Sequence, residues 1–558
     1  MQTVRRLYLY LMSGVTLAVL GVGLAMLLRL LLEQLGLGPS GDVLGGDRSE
    51  GIRRELSVAI ALVGVGTPVW LLHWWLVERG LRPEREGAEA DRTSAVRALY
   101  LSVALGVLLT FGALAGAELM SGLLVRLLGQ TTDLFDDPGS ALATLLVTGA
   151  IWTYHAGIRR RDMRTGPMQG AAAWLPRAYL YLAALGGLVV LLTGIGSLVM
   201  AVADAVLTEP AIAEPGAPDF GIVTLSDAVA QTLVGGSIWI GHWLYATRLT
   251  ADDGWRGTSE RAARLRLAFL VGAIAVGAIG IVAELSEAAR TVLAALFGAV
   301  PEGGSPGDLA RALVVPLAGA VPFGLAWWIH LRWLRTEAAA SGEAERVATA
   351  DRLDLLAVAL IGLGFGAVGI GWLLGLVIDV LLGGGRVIAG SDFWRVELSQ
   401  FLPFGVVGSA LWLWKWRLVT VRYARDPERE ASSTARRAYL LAVLAASALS
   451  GLGSLGLVLY SLVSGLLGVD AGGSLASELS TPLGALIVAT AVALYHGLAL
   501  RRDQKLRADA APAEAAPEVT PVQRQLRLVL SGPPDADLAA TLERLRGSLP
   551  EGHELDIG

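Results

Sequence analysis

The chain has 558 residues, 54% hydrophobic and 17% charged, with a formal net charge of −5. Soluble domains average ~25% charged residues, so a soluble enzyme is excluded as the main body, and so is a disordered chain. A basic nucleic-acid binder is excluded by the charge balance, and disulfides, thiolate metal sites and iron–sulfur clusters by the lack of cysteine.

An apolar helix of about 20 residues crosses the ~30 Å hydrocarbon core of a bilayer. Twelve such stretches follow one another in two alternating kinds. The A stretches start just after an arginine and run long: 6–35, 97–128, 177–206, 264–297, 352–382 and 437–468. The B stretches end in aromatics, a histidine or lysine, then arginines: 55–78, 140–160, 225–248, 309–334, 396–418 and 479–501. Met1 to Arg6 has the positive start of a signal peptide. The apolar run Leu7 to Leu28 is too long for a cleaved one and no Ala-x-Ala-like site closes it, so a retained anchor is expected.

The A stretches open at Arg6, Arg97, Arg177, Arg264, Arg352 and Arg437, at steps of 80 to 91 residues. Four share a phrase: RLYLY, RALYL, RAYLY and RAYLL. The B stretches carry Trp-x-x-His, at Trp70/His73, Trp152/His155, Trp239/His242 and Trp327/His330; the fifth copy is Trp412/Lys415 and the sixth Ala493/His496. Five of the six histidines hold this one position. The repeat is a helical hairpin of about 85 residues in six copies. A hairpin returns the chain to the same side, so all copies share one orientation, unlike inverted repeats.

Thirty-two basic residues flank the N-terminal side and the B-to-A loops; six lie on the other side, Arg48, Arg53, Arg54, Arg311, Arg386 and Arg395. This asymmetry predicts both termini in the cytoplasm. After Arg502, residues 508–521 form an Ala/Pro/Glu linker. Residues 523–531 alternate as a strand, 535–550 read as a helix capped by Asp535 or Asp537, and HELDIG as a second short strand. This small cytoplasmic tail is expected to dock on the loops, on a partner or on a second copy.

Trp-x-x-His invites a haem or metal-ring reading, because imidazole is a good ligand. Interfacial anchoring or inter-helix packing explains it better. Twelve of sixteen tryptophans lie in the B stretches near one end, where indoles favour the headgroup level. Lys415 also breaks any ligand ring. A polar pore is the intermediate reading. Intramembrane acids often mark ion paths: Glu118 and Glu284 lie deepest, Arg126 lies eight residues beyond Glu118 and Arg290 three beyond Glu287, close enough along the helix to pair, while Asp204 and Asp379 are expected at the outer rim. Gly112/Gly116, Gly362/Gly366 and Gly371/Gly375 are helix-approach pairs, and Pro68, Pro316, Pro322, Pro403 and Pro482 can bend B helices. No catalytic constellation, metal site or cofactor motif is present in the sequence.

The Arg-x-Tyr-Leu starts, with a B stretch ending in Pro-x-Trp-x-x-His-Trp (Pro68 to Trp74), resemble a bacterial membrane family, the domain of unknown function 5671. The resemblance implies four-helix units at 1–160, 172–335 and 350–502 and carries no activity, so no functional residue transfers. The expectation is an all-α integral membrane protein: about twelve transmembrane helices as six same-orientation hairpins in three four-helix units, a linker at 508–521, and a βαβ-like tail at 522–558. It lies in the bacterial cytoplasmic membrane and is not an enzyme. Its role is structural, sensory or scaffold; the alternatives are a channel or transporter with a cavity between repeats, and a haem-binding redox protein. The expected partners are the lipid bilayer and a protein or second copy met by the tail.

Overall fold

The computed structural model describes residues 2–38, 48–130, 137–164, 168–207, 219–298, 306–382, 393–468, 474–510 and 537–548. The chain divides into Met1–Arg507 and Ala508–Gly558. Among the described residues all regular structure is helical.

The first third contains α1 (Gln2–Leu32, continued by a π-helical turn to Leu37), α2 (Arg48–Gly80), α3 (Ala88–Arg92), α4 (Ala95–Leu127) and α5 (Pro138–Arg164). The second contains α6 (Gly170–Leu207), α7 (Phe220–Thr250), α8 (Trp255–Arg261), α9 (Arg264–Leu296) and α10 (Pro306–Ala340). The third contains α11 (Ala344–Leu381), α12 (Phe393–Arg425), α13 (Pro427–Ser432), α14 (Thr434–Leu466) and α15 (Leu475–Ala510). Twelve of these helices are long and apolar enough to cross a membrane. Their outer faces bear Leu114, Leu182, Leu449 and Leu452 at 62 to 72% exposure, an apolar surface suited to lipid rather than water. A helix of 38 residues, such as α6 or α11, is ~57 Å long and overshoots a ~30 Å core, so its ends can carry charge.

The short helices α3, α8 and α13 lie within the B-to-A loops. Local chemistry sets them. Asp426 caps α13 by accepting from the Arg429 N–H at 3.1 Å, with Pro427 in the first turn. Ser94 caps α4 by accepting from the Arg97 N–H at 3.3 Å.

Consecutive long helices pack together: α1 with α2, α4 with α5, α6 with α7, α9 with α10 and α11 with α12. Within each third one helix is central. Helix α1 touches α2, α4 and α5, and α6 touches α7, α9 and α10. Helix α11 touches α12 and α14, and its glycines meet α15. The thirds join in the same way each time: α4 lies on α6 and α7, and α9 lies on α11 and α12.

Glycines set the closest approaches. A Cβ at Gly187 would stand 2.6 Å from the backbone N of Trp239, and one at Gly362 would stand 2.6 Å from that of Trp412. Gly366 also abuts α12, and Gly371 and Gly375 abut α15, as the small-residue spacing predicts. The Gly112/Gly116 pair is looser, meeting only the side chains of Thr148 and Leu145. The helices run on through Pro68, Pro316, Pro322, Pro403 and Pro482, and also through Pro176 of α6.

In the C-terminal unit the helix is α16, Leu538–Gly547, shorter than the expected 535–550. Of the two expected caps, the Asp537 side chain accepts from the Ala540 N–H at 3.2 Å. The expected strands at 523–531 and in HELDIG lie outside the described residues, and no strand occurs among the described ones.

Gly362→Leu is expected to lower stability by about 1–3 kcal/mol through overpacking, whereas Gly64→Ala, with open space around it, is expected to leave it unchanged or raise it. Thermal unfolding in detergent distinguishes them.

Candidate functional site

The Trp-x-x-His position and the repeat arginines meet in one layer near the helix ends that share a side with the N-terminus. The arginines come in two kinds. In α1, α6 and α11, Arg6, Arg177 and Arg352 donate through Nε to Asp91, Glu260 and Glu430, at 2.6, 2.8 and 2.9 Å. Those acids sit on the short helices α3, α8 and α13. In α4, α9 and α14, Arg97, Arg266 and Arg436 donate through Nε to Asp162, Glu337 and Asp503, at 2.6, 2.9 and 2.7 Å. These acids lie near the ends of α5, α10 and α15.

This geometry corrects the repeat register. Arg266 and Arg436 are buried and paired, whereas Arg264 and Arg437, the expected repeat residues, are exposed. In the corrected register an acid precedes each even-copy arginine by six residues (Asp91/Arg97, Glu260/Arg266, Glu430/Arg436). Another follows each even-copy histidine by seven (His155/Asp162, His330/Glu337, His496/Asp503). Both signals stand in the sequence, apart from the steps near 85 residues that mark the repeat. The innermost pair is Arg97 with Asp162, at 1 and 3% exposure, and Arg97 also donates to the Tyr10 hydroxyl at 3.0 Å.

Arrangements with one geometry and one order thus recur three times. The model of a domain of unknown function (DUF5671) matches residues 6–150, 177–325 and 352–491, together well over half of the chain. The chain belongs to this family. Its three matches begin at Arg6, Arg177 and Arg352, the arginines whose partners lie on the short helices. No curated protein matches the chain, and no solved structure does.

Across the DUF5671 copies every repeat histidine is held at Nδ1, and four of the five at Nε2 as well. Nδ1 of His73, His155, His242, His330 and His496 lies 2.7 to 2.9 Å from the carbonyl oxygen four residues earlier. A carbonyl only accepts, so Nδ1 carries the proton and Nε2 is left as an acceptor. Nε2 faces a tyrosine hydroxyl on the neighbouring A helix: Tyr8 for His73 at 3.4 Å, Tyr100 for His155 at 3.1 Å, Tyr179 for His242 at 3.1 Å and Tyr439 for His496 at 3.4 Å.

Two copies depart, each with a physical counterpart. Lys415 replaces histidine, and Asp354 stands where Tyr8 and Tyr179 stand, two residues after the repeat arginine. Nζ of Lys415 donates to Asp354 at 3.1 Å, with both side chains at most 5% exposed. A neutral hydrogen bond has been exchanged for an ion pair. At His330 the tyrosine position holds Phe269, and Nε2 has no partner among the described residues; Phe269, Trp239, Trp243 and Trp333 surround the ring.

The tryptophans bind the copies together. Trp152 Nε1 donates to Tyr179 at 3.0 Å and Trp327 Nε1 to Asp354 at 3.4 Å, each reaching the first helix of the next copy. Trp74 donates to Tyr154 and Trp416 to Tyr495, both at 2.7 Å. Trp70 stacks on Trp74, and Trp412 on Trp416.

At the far end the expected acids are scattered. Glu118 is exposed on α4. Glu284 is half-buried, its carboxyl against Gly319 of α10. Glu287 accepts from Arg290, as expected, at 2.8 Å. Asp204 accepts from Arg311, with Nη2 at 3.3 Å. Asp379, expected at the outer rim, is instead 1% exposed, and neither carboxylate oxygen has a hydrogen-bond partner among the described residues. An open apolar groove of about 870 Å³ runs between α1, α4 and α5, past Leu11, Phe111 and Ile151. It lies within the first copy rather than between copies, and neither Glu118 nor any of the repeat histidines lines it.

Asp162→Asn is expected to cost about 3–5 kcal/mol by stranding Arg97, whereas Glu287→Gln, in a half-exposed pair, is expected to cost under about 1 kcal/mol. Phe269→Tyr supplies His330 with the hydroxyl its counterparts have and is expected to add about 1 kcal/mol. Detergent melting curves check all three.

Proposed function

We propose that the chain is a multi-pass protein of the bacterial cytoplasmic membrane with a structural, sensory or scaffold role, and not an enzyme. One observation carries this reading. All six repeat arginines, four of the five repeat histidines and Lys415 are consumed by partners inside the bundle. Side chains spent on one another position helices; they do not offer themselves to a substrate. The same economy weighs against haem, since the nitrogen that would bind iron accepts a tyrosine proton. Catalytic work would need a reactive group left free in a cavity, and the main groove is apolar.

In this reading the twelve helices form six hairpins of one orientation, with both termini in the cytoplasm on the strength of the basic-residue asymmetry. The tail beyond residue 508, which carries α16, reaches a protein partner or a second copy, and lipid covers the exposed apolar faces. Transport is the second reading, kept because Glu284 and Asp379 lie within apolar helices.

Reconstitution into vesicles tests the choice. Flux of ions and small solutes is expected to equal that of empty vesicles, for the wild type and Glu118→Gln alike. A wild-type flux above that background, reduced by Glu118→Gln, refutes the scaffold reading. Tags on the two chain ends are both expected to report the cytoplasm.

A further inference from the structure

At the end of the bundle opposite the arginine layer, the three copies solve the same problem differently. An acid stands 27 residues after each odd-copy arginine: Glu33 after Arg6, Asp204 after Arg177 and Asp379 after Arg352. In the second copy Asp204 of α6 pairs with Arg311 of α10, and the side chains are 38 and 34% exposed. In the first copy the α1–α5 contact at this level is an ion pair of reversed sign, Arg29 with Asp137 at 3.2 Å. In the third copy no such pair exists among the described residues.

Two independent registers say what faces Asp379. Counting back from the repeat histidine, Arg311 lies 19 residues before His330, and Ser477 lies 19 before His496. The prolines agree, with Pro316 and Pro482 each 14 residues before their histidines. The packing of α11 on α15 gives the same answer. Gly371 lies against Ala485, and Gly375 lies against Thr481 with a would-be Cβ 3.0 Å from its Cα. One more turn along these antiparallel helices sets residue 379 opposite residue 477. The guanidinium that neutralises Asp204 is therefore replaced by a serine, and the carboxylate that lost its counter-charge is the more deeply buried of the two.

Among the described residues no cation pairs with Asp379, and the α15 side supplies oxygen. Ser477 and Ser480 are 5 and 1% exposed. Each spends its hydroxyl proton on a backbone carbonyl, Ser477 on Ser474 at 2.8 Å and Ser480 on Ser477 at 2.9 Å. Their lone pairs remain as acceptors. Arg395 of α12 lies at a similar level, by the Gly362/Trp412 and Gly369/Gly405 register, but its guanidinium sits 5.4 Å from the Trp394 ring centroid. Asp379 occupies the last turn of α11, the negative end of its dipole, facing the first turns of α15, a positive end. The two dipoles offset, and the carboxylate charge is left over.

A buried carboxylate without a counter-charge is costly. We propose that Asp379, with oxygen atoms of the Ser477–Ser480 turn, binds a small alkali cation that takes the place held by Arg311 in the second copy. One carboxylate among neutral oxygens suits a hard monovalent ion; a divalent ion of the calcium class draws on more anionic ligands. Half-helix ends and oxygen-rich turns serve sodium in the same way in other membrane proteins.

The test uses the full chain purified in detergent, with tryptophan fluorescence following thermal unfolding. Sodium chloride is titrated at constant ionic strength against choline chloride, whose cation is too large for the site. The wild-type Tm is expected to rise saturably by several degrees with sodium. Asp379→Asn, which is isosteric, and Ser477→Arg, which restores the arginine of the second copy, are both expected to lose that rise, while Asp204→Asn keeps it. If Ser477→Arg does not fold, Asp379→Asn decides alone. Equal Tm values in sodium and choline for the wild type overturn the proposal, as does a sodium response that survives Asp379→Asn. A wild type indifferent to sodium, whose melting depends on pH through Asp379 alone, also overturns it and shows that the carboxyl keeps its own proton.

Discussion

The constraint on which this molecule rests is the cost of carrying charge into a medium that cannot solvate it. A guanidinium drawn between apolar helices keeps its charge, and carrying it there costs least where a carboxylate meets it and the remaining N–H groups find acceptors. The chain meets this demand six times with one geometry, a side-on bond from Nε. The two kinds of pair do different mechanical work. Arg97 and its counterparts tie a long helix to the helix that follows it. Arg6 and its counterparts tie the first long helix of each copy to the short helix that leads into the third. Together they fasten the helix ends on one side of the bundle into a polar belt.

The histidine positions belong to the same belt. Their variation is informative because one chain holds six versions of a single solution. Tyr8 with His73 and Tyr179 with His242 are neutral pairs, and Asp354 with Lys415 is their charged equivalent. Both partners have changed together, which keeps a donor facing an acceptor. His330 keeps the imidazole and has lost the hydroxyl, and aromatic rings fill the space. A motif that tolerates such exchanges is held by packing and pairing rather than by a bound group's coordination chemistry.

The opposite end obeys a looser rule. There the helices are brought together by glycines, and the ion pairs change sign or vanish from copy to copy: Arg29 with Asp137, Asp204 with Arg311, then Asp379 with no hydrogen-bond partner among the described residues. Backbone contact at Gly375 fixes the helix spacing there without help from charge. Charge at this end is free to differ, and the third copy departs furthest from the pattern of the other two.

Much of the architecture is legible along the chain. Apolar run length gives the twelve helices, since a bilayer sets one length scale. Residue spacing gives the copies and the Trp-x-x-His position. Spacing failed at Arg264 and Arg437, where a second arginine lies one or two residues away. Each residue turns a helix by about 100°, so steps near 85 residues cannot tell which arginine points inward. The acids at fixed spacings from the even-copy arginines and histidines are legible in the sequence; which arginine each one meets, and the lack of a hydrogen-bond partner for Asp379 among the described residues, were decided by tertiary structure. They depend on which helix faces lie against each other, and a pairing between residues some 70 or 80 positions apart leaves no trace in the local periodicity of either segment.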